Sequence, residues 1–330
     1  MNKNIYDITI IGGGPVGMFA GFYSGLRNAK VQIIESLDEL GGQVNALYPE
    51  KTILDVAGFA GLTGRELVNN LKAQLLTMQP DISLNTTVKN VKKVDDFFAI
   101  ETDKGTTQSR AIIIATGNGS FKPRKLLADN ADKYENNQIQ YFIKNLDDFK
   151  DKQVLVAGGG DSAIDQALML EKVAKKVYLL HRRNEFRGLE RMVSRLKKSS
   201  VELVTPYLIK EVQPADGNQI TLVAKKMRTD DEFKTITVDK MLVNYGFVAD
   251  SKAMKNWDIN LQTSHRLLQV DSKMQTNIPN VYAVGDQAKY DGKQTIIATG
   301  FGEVPLAVNG IMQNLYPNSN APIHSTQLSK

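Results

Sequence analysis

Ile8-Thr9-Ile10-Ile11 runs into Gly12-Gly13-Gly14-Pro15-Val16-Gly17, and Val31-Gln32-Ile33-Ile34 then ends on Glu35. Further on, Val154-Leu155-Val156-Ala157 runs into Gly158-Gly159-Gly160-Asp161-Ser162-Ala163, and Val177-Tyr178-Leu179-Leu180 ends on His181-Arg182-Arg183. Both stretches read as strand, glycine turn, helix, strand, with the same 23-residue interval from first glycine to strand end. Glycines so placed allow a tight turn and let a pyrophosphate approach backbone N–H groups at a helix N-terminus, where the helix dipole favours negative charge. Two copies predict two bound dinucleotides. An acid at the end of the second strand accepts hydrogen bonds from ribose hydroxyls, whereas arginines there neutralise a 2′-phosphate. The Glu35 copy therefore suits FAD or NAD, and the Arg182-Arg183 copy suits NADP.

The rest of the composition narrows the chemistry. At 330 residues, with 42% hydrophobic and 23% charged residues, the chain has the size and balance of a globular protein of two ordinary domains. No apolar run reaches the length needed to span a bilayer, and Ile8–Ile11 reads as a strand rather than part of a signal peptide, so no membrane association and a cytoplasmic location are expected. Cysteine is absent and only three histidines occur. Thiolate metal sites, disulfides, iron–sulfur ligation and cysteine nucleophiles are thereby excluded, no metal site is expected, and the hard chemistry falls to bound cofactors.

The net charge of +5 is unevenly distributed: between Asn118 and Phe247 there are 23 lysines and arginines against 18 acids, and elsewhere the two are balanced. Within the basic run, Arg187, Arg191 and Arg195 recur at a helical spacing of four. This is either a solvated face beside a phosphate site or a docking surface for an acidic partner. No aromatics interleave with the run, which argues against nucleic acid.

Along the chain, the first βαβ unit is followed by an irregular stretch from Gly41-Gly42-Gln43 to Gly61, a helix from Thr63 or Gly64 to about Leu76, and short antiparallel strands ending at Ala115-Thr116-Gly117. The second unit ends at Tyr245-Gly246-Phe247. A short strand, Asn280–Asp286, and a closing helix from Val304 to Leu315 return to the first domain. The expected fold class is α/β, with residues 118–247, which carry the NADP-type turn, forming a domain inserted into a discontinuous domain of residues 1–117 and 248–330, which carries the FAD- or NAD-type turn.

The order and spacing of these motifs, with His181-Arg182-Arg183-Asn184-Glu185-Phe186-Arg187 and Ala283-Val284-Gly285-Asp286, resemble the thioredoxin reductase fold over essentially the whole chain. Thioredoxin-reducing members carry a C-x-x-C pair just before the second glycine motif; here Ile139-Gln140-Tyr141-Phe142-Ile143 stands there, and no disulfide relay is possible. Leu47-Tyr48-Pro49-Glu50-Lys51, Ala298-Thr299-Gly300-Phe301-Gly302-Glu303-Val304-Pro305 and Pro322-Ile323-His324-Ser325-Thr326 are similar to the ferredoxin (flavodoxin)–NADP reductases of thioredoxin-reductase-like type.

That resemblance implies a set of roles. Gly12, Gly14, Pro15, Gly17, Gly42, Thr116 and Gly117 would surround FAD, with Glu35 on the adenosine ribose, the backbone of Val88 on the adenine, Gln43 and Phe121 near the flavin and its ribityl chain, and Asp286 on ribityl hydroxyls. Tyr48 and His324 would lie over the two flavin faces as flavin-shaping catalytic residues, the tail with His324, Ser325 and Thr326 coming from the other subunit of a homodimer. Gly158, Gly160, Asp161, Ser162 and Ala163 would hold the NADPH pyrophosphate, and His181, Arg182, Arg183 and Arg187 would surround its 2′-phosphate. The closing helix, opened by Pro305 at a favoured first position, would place its N-terminus toward reduced flavin. The expected activity is electron transfer between NADPH and ferredoxin or flavodoxin. An NADPH oxidase, quinone reductase or flavin-dependent monooxygenase would share both cofactor sites, and a non-catalytic redox sensor would share the fold.

Overall fold

Apolar runs such as Ile8–Ile11 and Val154–Ala157 suit strands buried on both faces, and they lie in the parallel centres of two sheets in the computed structural model. The structure describes residues 5–59, 61–117, 119–250, 254 and 256–318. The chain divides into two compact units, one comprising Met1–Ala46, Thr52–Phe121 and Ala249–Lys330, the other Leu47–Lys51 and Lys122–Val248.

In the first unit, β1 (Ile5–Ile11) leads through a glycine turn into α1 (Pro15–Leu26) and β2 (Val31–Ile34). Helices α2 (Gly42–Leu47) and α3 (Gly64–Leu76) follow, then β3 (Asp81–Ser83), β4 (Val88–Val94), β5 (Phe97–Thr102) and β6 (Gly105–Ile114). The seven-stranded sheet has the order β3-β2-β1-β6-β5-β4, with a returning strand at Val281–Ala283 parallel to β6. Strands β1, β2, β3 and β6 run parallel, whereas β4 and β5 are antiparallel additions. The first of the short strands expected to be antiparallel, read from the sequence at Ser83–Val88, is instead β3, which ends at Ser83 and runs parallel to β2. Helix α1 lies close on this sheet because Gly21 has no side chain: a methyl group there would sit 2.7 Å from Leu75 and 2.8 Å from Ile33. Helix α3 begins at Gly64 as expected, in a capping box in which Thr63 Oγ1 accepts from Glu66 N and Glu66 Oε2 accepts from Thr63 N at 2.7 Å.

Two strands, β7 (Ser120–Pro123) and β16 (Phe247–Asp250), pair with each other where the chain passes between units. The second unit carries β8 (Ile139–Gln140), β9 (Gln153–Ala157), α4 (Asp161–Leu170), β10 (Lys176–Leu180), α5 (Glu190–Lys197), β11 (Glu202–Val204) and β15 (Lys240–Val243). Its parallel sheet has the order β11-β10-β9-β15-β8, and β12 (Tyr207–Pro214), β13 (Ile220–Lys226) and β14 (Phe233–Val238) form an antiparallel sheet beside it. Leu155, Val156, Ala157, Leu179 and Met241 are fully buried in its core.

Two local expectations are corrected. The closing helix α6 spans Ile297–Leu315, so Pro305 lies inside it instead of opening it. Proline normally breaks a helix by removing an N–H and crowding the preceding turn; here tight packing of the helix start overrides that tendency, with Gly300 so close to Val16 that a methyl group on it would lie 2.5 Å away. Arg187 also departs from expectation: it precedes α5 in an extended bridge with Gly160. Its N–H donates to Gly159 O at 2.7 Å, so it does not continue the helical series of Arg191 and Arg195.

Candidate dinucleotide sites

Both glycine turns show the same division of labour. In the first, a methyl group on Gly12 would sit 2.5 Å from Ala115 O, and one on Gly17 would sit 1.9 Å from Gly12 O. Gly12 also has φ +108°, a conformation that L side chains rarely adopt. Gly14 differs: the nearest described atom to a methyl group there is Gly42 Cα at 3.9 Å. In the second turn a methyl group on Gly158 would meet Asn244 O at 2.6 Å and Ala163 Cβ at 2.8 Å, while one on Gly160 has nothing nearer than Arg187 O at 3.8 Å. The outer positions are closed by the protein's own backbone and helix packing; the middle one is an open cradle at the start of a helix. That is the arrangement in which a pyrophosphate reaches backbone N–H groups.

Around the first cradle the fold assembles most of the residues singled out in that unit. Glu35, 5% exposed, turns its carboxylate back on the turn: Oε2 accepts from Gly13 N at 2.6 Å and Oε1 from Leu37 N at 2.8 Å. A carboxylate has capacity for further donors, and ribose hydroxyls are such donors. The Gly41-Gly42-Gln43 loop rests on the turn through Gly41 N to Gly13 O at 2.9 Å, and Gly42–Leu47 is helical, not irregular as its glycines suggested. Gln43 reaches Gly117, whose added methyl group would lie 3.5 Å from its amide nitrogen. Thr116 Oγ1 is buried without a hydrogen-bond partner among the described residues, an atom that a ligand's polar group would satisfy. On the remaining side, a methyl group on Gly285 would sit 3.4 Å from Val16, which brings the Asp286 turn against the start of α1. Burial pushes the Asp286 carboxyl up, Lys293 opposes that, and Glu303 adds to it.

Other residues stand apart from this cluster or outside it. Val88 opens β4, buried and in register with Thr102. Phe121 lies in β7, and its side chain is not among those described. Tyr48 follows α2 within Leu47–Lys51, the short segment that groups with the second unit, and Lys51 Nζ lies 5.9 Å from its ring. His324, Ser325 and Thr326 lie outside the described residues.

The second cradle is flanked by the loop that bears the arginines. Asp161 Oδ1 accepts from Leu189 N at 2.9 Å, so this acid ties the loop to the first turn of α4, a link that sequence spacing does not show. Arg182, Arg183 and Arg187 are exposed and Ser162 stands exposed at the start of α4. His181 is wedged beneath the turn, where a methyl group on Gly159 would strike its ring at 2.3 Å, and its Nε2 is buried without a partner among the described residues. Burial first, then Arg182, Arg183 and Arg187, hold its pKa below the ordinary 6.5. The folded protein therefore resists a proton that the unfolded chain accepts, and stability falls as pH drops below about 6.5. Melting temperatures of the nucleotide-free protein measured from pH 8 to pH 5 are expected to fall less steeply in His181→Asn than in the wild type; parallel curves would contradict this assignment.

Among the described residues, no helix is long and apolar enough to cross a membrane, and no group of His, Asp and Glu side chains has the arrangement of a metal site.

Comparison with known proteins agrees with this geometry. Residues 6–313 match the pyridine nucleotide-disulphide oxidoreductase family. A protein of Latilactobacillus sakei named ferredoxin–NADP reductase 2 is 52% identical over 99% of this chain and 98% of its own length. A ferredoxin–NADP reductase of Lactiplantibacillus plantarum is 53% identical over 97% of both chains. Among solved structures, a thioredoxin reductase of Lactococcus lactis superposes with a TM-score of 0.78 at 27% identity, covering 93% of this chain and 98% of its own. The thioredoxin reductase of T. acidophilum shares the fold with a TM-score of 0.81 at 24% identity, covering 95% of this chain and 99% of its own. With two nucleotide cradles, no cysteine and half-identity to these reductases over nearly its full length, the chain belongs to the pyridine nucleotide-disulphide oxidoreductase family and, within it, to the ferredoxin–NADP reductases of thioredoxin-reductase-like type.

Proposed function

We propose that this chain is an FAD-dependent ferredoxin–NADP reductase, with FAD in the cradle of Gly12–Gly17 and NADPH in that of Gly158–Ala163. The observation that carries the reading is the pair of open middle glycines, one followed by an acid and the other by arginines at the strand end. When bound, the two groups supply hydride transfer and the release of electrons one at a time. The balanced reaction takes two acceptor molecules for each NADPH and releases NADP⁺ and one proton.

The protein's part is placement. Gly14 and Gly160 admit the pyrophosphates, Glu35 accepts from the adenosine ribose, and Asp286, whose turn packs on Val16 of α1, accepts from ribityl hydroxyls. Gln43, beside Gly117, and the unpartnered Thr116 Oγ1 offer further polar atoms to the flavin and its ribityl chain. Arg182, Arg183 and Arg187 surround the 2′-phosphate on a loop held by Asp161. Tyr48 and His324 supply flat faces for the flavin ring, and the tail bearing His324, Ser325 and Thr326 is proposed to come from the second subunit of a homodimer. Flavodoxin is proposed as a second acceptor, and the cytoplasm, where reduced nicotinamide is regenerated, as the location.

An acidic acceptor suits the charge of the middle segment. A cleft of about 420 Å³ on that unit is lined by Glu171, Arg191, Ser194, Arg195, Lys198 and Ser199, three of them cationic. Association steered by opposite charge weakens as salt screens it. NADPH-dependent reduction of ferredoxin is expected to lose about tenfold in kcat/KM between low and high ionic strength, measured at saturating NADPH. Reduction of ferredoxin at a rate indifferent to salt would remove the basic surface from the account, and no reduction at all would remove the proposed activity.

A further inference from the structure

Beneath the Asp286 turn lies an ion pair that none of the assigned roles uses. Glu303, on α6, and Lys293 are each 3% exposed in their side chains and paired with each other. Surface pairs such as Lys92–Glu101 and Lys226–Glu232 keep a third or more of each side chain exposed. Desolvating two charges offsets most of what their attraction returns, and an apolar pair of similar volume often serves stability as well or better. A buried pair is therefore weak evidence for stability and invites a different role.

The contacts of Glu303 point to that role. Oε2 accepts from Gly285 N at 2.7 Å, while Oε1 accepts from Tyr290 OH at 2.7 Å and from Lys293 Nζ. One carboxylate thus ties together α6, the 290–293 turn and the backbone immediately before Asp286. Gly285 is held at φ +68°, and this conformation aims the following residue. The same spot is fixed from below, since methyl groups on Gly285 and Gly300 would both meet Val16 of α1. We propose that Glu303 is a positioning residue for FAD: with Lys293 neutralising its charge and Tyr290 orienting it, it fixes the Gly285 backbone so that Asp286 faces the ribityl hydroxyls. This rests on the reading above that the first cradle binds FAD.

Glutamine at 303 keeps the shape but offers one acceptor oxygen to three donors, so the Gly285 bond and the pairing of Lys293 cannot both survive. Tyr290→Phe removes a single donor at a partly buried site and leaves the ion pair in place. The experiment titrates FAD into apoprotein prepared from the wild type, Glu303→Gln and Tyr290→Phe, and records the dissociation constant, the visible spectrum of the bound flavin and the melting temperature of each apoprotein. Glu303→Gln is expected to weaken FAD binding by about tenfold or more with an altered flavin band. Tyr290→Phe is expected to shift both in the same direction, by less, with the apoprotein melting as the wild type does.

Wild-type affinity and spectrum in a folded Glu303→Gln protein would overturn the proposal. If that variant does not fold, wild-type affinity and spectrum in Tyr290→Phe overturn it equally. A wild-type apoprotein that takes up no FAD defeats the flavin reading first and this inference with it, and is told apart by being measured before either variant.

Discussion

Replacing Arg182 and Arg183 together with alanine is expected to raise the Michaelis constant for NADPH about a hundredfold while leaving that for NADH nearly unchanged. A charge-assisted hydrogen bond from arginine to phosphate contributes about 1.5–3 kcal/mol. Two of them amount to about 3–6 kcal/mol, and each 1.4 kcal/mol is a factor of ten. Both side chains are exposed, where water and salt screen them, so the lower end applies. The arginines sit on a loop whose place is set by its own N–H groups, Arg187 N donating to Gly159 O and Leu189 N to the Asp161 carboxylate. Truncating the two side chains leaves those contacts intact, so the variant should fold normally. Steady-state kinetics with both nucleotides checks the outcome; equal losses for NADPH and NADH would refute the assignment of these residues to the 2′-phosphate.

The second large effect separates folding from binding within a single turn. Gly17→Ala puts a methyl group 1.9 Å from Gly12 O, a clash with backbone that no side-chain rotation relieves. Loss of more than about 4 kcal/mol is expected, enough to prevent a stable native state for a domain of ordinary stability. Gly14→Ala places the same methyl group 3.9 Å from its nearest described neighbour. That apoprotein is expected to fold and melt as the wild type does, yet to bind FAD about a hundredfold more weakly or worse, because the methyl group occupies the space where the pyrophosphate meets the backbone. Circular dichroism and FAD titration of the two variants read these outcomes. A Gly14→Ala protein with unchanged FAD affinity would contradict the placement of the pyrophosphate.

Much of this was legible in the chain because the decisive features are local. The apolar runs of β1 and β9, the glycines that follow them and the residues ending β2 and β10 lie within one βαβ span each, and their spacing carries the geometry. The Thr63–Glu66 cap is likewise a four-residue signal. What the sequence hid is set by contacts between distant segments. Pro305 reads as the opening of the closing helix, yet α6 begins at Ile297 and runs through it, with Gly300 packed on Val16. Arg187 fits a helical spacing with Arg191 and Arg195, but pairing with Gly160 pulls it into an extended bridge. Glu303 shows only as the one charged residue of α6, and nothing in its neighbours tells that Gly285, Tyr290 and Lys293 converge on it. The link from Asp161 to Leu189 is hidden for the same reason.

If the two cradles hold FAD and NADPH, electrons leave the flavin for a protein acceptor without any cysteine relay. An anaerobic absorbance titration of the purified protein reads this in one cuvette. A flavin spectrum is expected that NADPH bleaches, that NADH bleaches only at much higher concentration, and that oxidised ferredoxin restores. A protein that binds no flavin, or a bound flavin that NADPH leaves oxidised, would contradict it.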